Sequence, residues 1–231
     1  MMLDFSPLYL AMTVPPLLLS LWAQYKVKST FSKYSQVGVG SRMTGAEAAA
    51  AILRASGLEG LRIEQHQGFL SDHYDPRSRT LRLSPDVYSG RSISAVAVAA
   101  HEAGHSLQHA ADYGPLALRS RLVPLVQIGS MLWYLPFVLG LWMHVAGLMW
   151  LGVICFAAIV LFQLVTLPTE FDASSRAKDL LVTTGIVRTS EEQRGVAKVL
   201  NAAAMTYVAA LIASLAQLIY MILRAQSRRD E

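Results

Sequence analysis

The 231-residue chain is poor in charged residues and nearly free of cysteine. Charged residues make up 16% of it and hydrophobic residues 53%, whereas about 25% of the residues in an ordinary soluble domain are charged. The single cysteine, Cys155, cannot form an internal disulfide, and its apolar surroundings in the sequence predict a role in packing. These absences exclude a disulfide framework and argue against an ordinary soluble domain.

The charged residues leave four apolar segments long enough to cross a bilayer core of about 30 Å. Three are residues 122–143, 147–167 and 202–223. The fourth, residues 7–25, contains Pro15 and Pro16, which a membrane helix tolerates at a kink. Because it has neither a basic stretch nor a small-residue cleavage site, we expect a retained anchor rather than a cleaved signal peptide. The predicted fold class is a mainly α integral membrane protein with about four transmembrane helices.

The basic residues flank these segments instead of forming one stripe with aromatic side chains. This pattern favours contact with lipid headgroups and argues against nucleic acid as a partner. Those in residues 26–121 and 168–201 include Lys26, Lys28, Lys33, Arg119, Arg121, Arg176, Lys178, Arg194 and Lys198. Since such residues favour the cytoplasm, we predict a multi-pass protein of the cell membrane with these two regions on the cytoplasmic side. Arg224, Arg228 and Arg229 favour the opposite orientation.

His101, Glu102 and His105 form an H-E-x-x-H motif in a stretch that is typical of a helix. The spacing brings both imidazoles onto one helical face, about 40° apart, where they can bind one zinc ion at about 2.1 Å. Glu102 lies about 100° round from His101, where a carboxylate reaches a water molecule without binding the metal. The alternative is a solvated His-Glu-His face. The motif predicts a catalytic zinc site with Glu102 as general base.

The third protein ligand is not expected on the same helix. His109 continues the stripe, but its Cα lies about 12 Å along the axis from that of His101, too far for one ion to reach both side chains. The extended three-histidine motif is also absent, because Gln108 and Ala111 stand where it has Gly and His. His109 is therefore predicted to support the site or to lie on the surface.

Glu170 is the candidate for that ligand. The second and third spans are joined by a short turn near His144, so the regions before and after them lie on the same membrane face. Pro168 and Thr169 predict the start of a helix with Glu170 in its first turn. The residues alone leave an alternative open, in which Glu170 and Asp172 merely complement the dipole at that helix start.

Shorter patterns complete the division of the chain. Thr44 and Glu47 form a predicted capping box before an alanine-rich helix, and two extended runs around residues 76–79 predict a β-hairpin. The predicted regions are an N-terminal anchor (1–25), a motif-bearing region (26–121), a transmembrane hairpin (122–167), a third-ligand helix and connector (168–201), and a C-terminal span with a basic tail (202–231).

Several of these motifs together resemble the YugP-type neutral zinc metallopeptidases, a membrane branch of the gluzincins related to HtpX-type proteases. They are S-D-H-Y-D-P-R at 71–77, L-x-L-S at 81–84, A-A-H-E-x-G-H-x-x-Q at 99–108 and L-P-T-E-F-D-A-S-S-R-A at 167–177. The resemblance implies a small α+β, zincin-like catalytic region at the membrane surface. It also implies one Zn²⁺ ion on His101, His105 and Glu170. HtpX-type enzymes have an aspartate four residues after the glutamate, whereas Ser174 stands here, so the partner of the ligand histidines stays open.

The function predicted is a zinc-dependent endopeptidase that acts on membrane or membrane-proximal proteins through a zinc-activated water. The candidates for oxyanion stabilisation or for support of the ligands are Arg176, Asp172, His73, Tyr74, His109 and Tyr113. Arg176 is favoured for the oxyanion, because it lies about two turns from Glu170 on the same predicted helix. The hairpin is expected to offer an edge strand to an extended substrate. The expected partners are a protein or peptide substrate and the lipid bilayer, with a regulatory membrane partner or a homo-oligomer as further candidates. The alternative is a non-enzymatic scaffold or a pseudoprotease that keeps the zinc site.

Overall fold

The computed structural model describes residues 6–68 and 71–227, which are mostly helical with one small sheet. The helices are α1 (Pro7–Ser35), α2 (Gly45–Ala55), α3 (Pro85–Tyr88), α4 (Ile93–Ala110), α5 (Gly114–Leu132), α6 (Tyr134–Met143), α7 (Ala146–Thr183) and α8 (Ser190–Ser227), and the strands are β1 (Arg62–Gln65), β2 (His73–Asp75) and β3 (Thr80–Leu83).

The described residues form two compact units. The first, which we call the apolar unit, comprises residues 6–23, 117–167 and 206–227. The second, which we call the motif unit, comprises Gln24–Leu116 and Pro168–Met205. Each unit thus combines segments that are far apart in the sequence, and the H-E-x-x-H motif and Glu170 belong to the same unit.

The apolar unit contains most of each predicted span. Among the described residues, three helical segments are long and apolar enough to cross a membrane: Gly114–Met143, Ala146–Thr183 and Ser190–Ser227. They cover the three strongest spans predicted from the sequence. Residues 7–25 are helical through both prolines, as part of α1, but α1 is not among these three, so the fourth span stays a prediction.

Helix α7 corrects one expectation from the sequence. A helix start was predicted at Pro168, but α7 is continuous from Ala146 to Thr183 with Pro168 inside it. A proline removes one intrahelical hydrogen bond. That loss does not end this helix, and the residues that follow the proline include buried Ala173 and Ala177, which pack in the core. Glu170 therefore does not lie at a helix N-terminus, and the dipole alternative for Glu170 and Asp172 is wrong.

The sheet of the motif unit has the strand order β1–β3–β2. β2 and β3 pair antiparallel around residues 76–79, which confirms the predicted hairpin. The first extended run of the sequence, however, contains two strands, because β1 pairs with the other edge of β3 in parallel. β2 therefore lies at an edge of the sheet, as an extended substrate strand requires.

Helix α4 is the centre of the motif unit. Ser92 caps it by accepting a hydrogen bond from the backbone of Ala95 at 3.2 Å, and the predicted capping box of Thr44 and Glu47 is present at the start of α2. The small side chains of α4 allow neighbouring elements to approach closely. The buried core includes Ala48, Ile52, Leu81, Ile93, Val96, Ala97, Ala100, Ala103, Ala177, Leu181 and Leu200.

Candidate metal centre

Three donor side chains from two helices meet in the motif unit. α4 supplies His101 and His105, and α7 supplies Glu170. The Nε2 atoms of the histidines lie 3.1 and 3.6 Å from Oε2 of Glu170, respectively. The potential ligand atoms of all three side chains lie within 4.8 Å of one another. Glu170 is 2% exposed, so its carboxylate is held by the protein rather than by solvent.

The close approach of α4 and α7 depends on Gly104, which lies between the two histidines in the sequence. A Cβ atom at this position would lie 2.8 Å from the backbone oxygen of Ala173 on α7. Real Cβ atoms do not tolerate that distance from backbone. The absence of a side chain at Gly104 therefore lets the helix that carries Glu170 pack directly against the motif helix.

The donor set fits a zinc ion. In tetrahedral coordination, with zinc at about 2.0–2.1 Å from nitrogen and oxygen ligands, neighbouring ligand atoms are about 3.3 Å apart. The two histidine-to-carboxylate distances, 3.1 and 3.6 Å, lie on either side of this value. Two histidines and one carboxylate are also the ligand set of several catalytic zinc sites, in which a fourth position stays open.

Each histidine is held by a hydrogen bond at its other ring nitrogen. The Nδ1 atom of His101 lies 3.1 Å from Oγ of Ser174, and the Nδ1 atom of His105 lies 2.9 Å from Oε1 of Gln108. Both Nε2 atoms are thus left toward Glu170. The sequence left open which residues support the two candidate ligand histidines. These contacts identify them as Ser174 and Gln108, and each offers a neutral oxygen in place of a carboxylate.

Glu102 is buried on α4, next to His101 in the chain and outside the set of three donors. The nearby Asp72 was missed in the sequence, although it belongs to the S-D-H-Y-D-P-R motif. Its carboxylate accepts hydrogen bonds from the backbone and the hydroxyl of Ser84, at 2.7 and 3.1 Å. Burial raises the pKa of Asp72, the Ser84 hydrogen bonds oppose this shift, and the charge of Glu102 raises the pKa further. Glu102 thus has a second acidic group within its electrostatic reach.

The other candidates from the sequence form one pair, one group of three and one separate residue. Tyr74 on β2 and His109 on α4 are joined, with 2.8 Å between the hydroxyl oxygen and Nδ1. Arg176 donates from Nε to Asp172 at 2.6 Å, and its guanidinium lies 5.8 Å from the centre of the Tyr113 ring.

His73 is exposed, and its ring lies against that of His66. Its Nδ1 atom lies 2.8 Å from the backbone oxygen of Ser71. His73 is therefore held by its own loop and strand. Asp172, in contrast, is linked to His105 through Gln108. The amide nitrogen of Gln108 donates to the Asp172 carboxylate at 2.8 Å.

Comparison with known proteins agrees with this geometry. Residues 9–226 match the family described as "Putative neutral zinc metallopeptidase". The chain is 50% identical over 224 residues to the "Putative membrane protease YugP" of Bacillus subtilis (strain 168), which covers 97% of this chain and 99% of the Bacillus protein. No solved structure matches the chain.

Proposed function

Because this chain belongs to the neutral zinc metallopeptidase family, we propose that it is a membrane-embedded zinc-dependent endopeptidase that cleaves membrane or membrane-proximal proteins. One observation carries the proposal: His101, His105 and Glu170 converge from two helices, with Glu102 beside them. His101, His105 and Glu170 are assigned as ligands of one catalytic zinc ion. A scaffold protein has no need of a glutamate at the position of a general base.

The proposed chemistry divides the work between the metal and Glu102. Zinc bound at this site supplies a Lewis acid, which polarises a peptide carbonyl and makes water easier to deprotonate. Glu102 accepts the proton of the attacking water and then delivers it to the leaving amine. Because Glu102 is buried, its carboxylate is shielded from bulk water during this transfer.

Because Nε of Arg176, the candidate favoured from the sequence, donates to Asp172, Tyr74 and His109 are proposed instead as donors to the developing oxyanion. His109 follows His105 by four residues and thus extends the face of α4 that carries the two ligands. Burial raises the pKa of the Tyr74 hydroxyl, so this group keeps its proton at neutral pH. One such donor contributes about 3–4 kcal/mol in other acyl-transfer sites. The edge strand β2, which carries Tyr74, would then pair with an extended substrate.

The function is tested with the purified full-length protein in detergent and an unfolded, fluorescently labelled protein as substrate. We expect cleavage that stops after treatment with a zinc chelator and returns when zinc is added back. Cleavage that persists in protein shown to be free of zinc would contradict the proposal. Zinc binding without cleavage of the unfolded substrate or of a single-span membrane protein would support the pseudoprotease or scaffold instead.

The site is proposed to face the cytoplasm, on the basis of the Lys and Arg residues in 26–121 and 168–201. With four spans, both termini then lie outside. A reporter that is active only in the periplasm, fused after Glu231, is expected to be active. A fusion after Arg121 is the control and should favour a cytoplasmic reporter. Activity of the cytoplasmic reporter after Glu231 would show the reverse orientation.

A further inference from the structure

Gln108 is a fully buried polar side chain beside the candidate metal centre. It is 0% exposed and lies three residues after His105 on α4. Its amide nitrogen donates to the backbone oxygen of Thr169 and to Oδ2 of Asp172, both at 2.8 Å. Its amide oxygen lies 2.9 Å from Nδ1 of His105. One side chain therefore joins a ligand on α4 to the residue that precedes Glu170 on α7.

These contacts determine which way the amide points. A backbone oxygen and a carboxylate can only accept hydrogen bonds, so the –NH₂ group must face Thr169 and Asp172. The amide oxygen consequently faces His105, and because it can only accept, Nδ1 of His105 must be the donor. Nε2 of a neutral His105 then carries the lone pair, which is the form that binds a metal.

Asp172 holds Gln108 in this orientation. Its carboxylate also accepts from Nε of Arg176 at 2.6 Å, so it is itself fixed on α7. The chain of contacts runs from Arg176 through Asp172 and Gln108 to the ring of His105. Removing any acceptor from the amide nitrogen would allow the amide to turn and present a donor to Nδ1.

We propose that Gln108 is a positioning residue that holds His105 in its metal-binding tautomer and ties the two ligand-bearing helices together. The inference rests on the proposed zinc site. It predicts that a carboxylate at position 108 weakens metal binding. A carboxylate behind a ligand histidine ordinarily strengthens metal binding, but a glutamate here would direct an acceptor at two other acceptors, the Thr169 oxygen and Asp172.

The test measures zinc affinity by competition with a chelator, independently of hydrolysis. We expect Gln108→Leu to weaken zinc binding by about 10- to 100-fold, as is typical when the hydrogen-bond partner of a metal-binding histidine is lost. Gln108→Glu is also expected to weaken binding. In the double variant Gln108→Glu/Asp172→Asn, the amide introduced at position 172 can donate to the carboxylate introduced at position 108, so binding should recover in part.

Ser106→Ala is the matched control. Ser106 is buried on the same helix, but its hydroxyl donates to the backbone oxygen of Ala103 and not to a ligand. The zinc affinity of this variant should be within about twofold of that of the wild type, since no hydrogen bond to a proposed ligand is lost. The visible absorption spectrum of the cobalt-loaded protein supplies a second readout. It should change in Gln108→Leu and not in Ser106→Ala, because only the former alters the position of a ligand.

The outcomes separate this inference from the proposed function. If the wild type binds no zinc, the proposed zinc site itself fails. If the wild type binds zinc and a folded Gln108→Leu variant binds it equally well with the same cobalt spectrum, only the role of Gln108 is wrong. An affinity of Gln108→Glu at or above that of the wild type would also overturn the assigned orientation of the amide.

Discussion

Glu102→Gln is expected to lower the rate of peptide hydrolysis by at least about a hundredfold, the typical contribution of a general base, while zinc stays bound. The amide of glutamine has nearly the shape of the carboxylate but cannot accept the proton of the attacking water. Glu102 is outside the three converging donors, so its loss should not release the metal. Turnover and zinc content are measured on the same preparation.

Glu59→Gln is the control for replacing a glutamate by a neutral glutamine, because Glu59 is exposed in the loop before β1. This variant should keep both activity and zinc. Normal turnover in Glu102→Gln would show that another group acts as the base. Loss of zinc together with activity would mean that Glu102 is a ligand.

Glu170→Gln is expected to weaken zinc binding by more than about 100-fold. Loss of a residue that only hydrogen-bonds to a metal ligand typically weakens binding by about 10- to 100-fold, and Glu170 is proposed to bind the metal itself. It replaces one of the three proposed protein ligands by a neutral amide, which is a weaker donor for zinc. The side chain keeps its volume, so the packing around this buried position is preserved. Zinc affinity is measured by chelator competition, and the melting temperature of the zinc-free protein checks the fold.

Asp179→Asn on the same helix is the matched control, since Asp179 is exposed. It should bind zinc like the wild type. If zinc remains stoichiometric and tightly bound in Glu170→Gln, the carboxylate assignment is wrong. Asp172 or His109 would then be the next candidate for the third ligand.

The two candidate histidine ligands could be predicted together because they are close in the sequence. His101 and His105 are one helical turn apart, and this spacing alone places both side chains on one face. Glu170 is 69 residues from His101, and its candidacy came from the arrangement of the spans and from the family resemblance. Only the packing of α4 on α7 brings its carboxylate to 3.1 Å from the histidine.

The hydrogen bonds that orient the ligands could not be predicted in the same way. Gln108 lies three residues after His105, a spacing at which helical side chains meet, so its contact with Nδ1 had a local signal. Its bonds to Thr169 and Asp172 span 61 and 64 residues and depend on how far Gly104 lets the two helices approach. The distance between the two helices cannot be predicted from hydrophobic periodicity.

Pro168 shows a different limit of local patterns. A proline in a polar segment that follows an apolar run is a typical helix start. In α7 the helix continues across it, and Glu170 is presented from a helix interior. Likewise, the run that contains β1 and β2 has the composition of one extended segment, and its division follows from the pairing of β1 with the far edge of β3.

The most direct measurement of the central claim is a titration of zinc-free protein with zinc, in which hydrolysis of an unfolded substrate and bound metal are followed together. The assignment of one ion to His101, His105 and Glu170 predicts no activity without zinc. It also predicts a linear rise in activity that ends at one zinc ion per chain. Full activity in the zinc-free protein, or activity that does not change as the site fills, would contradict it.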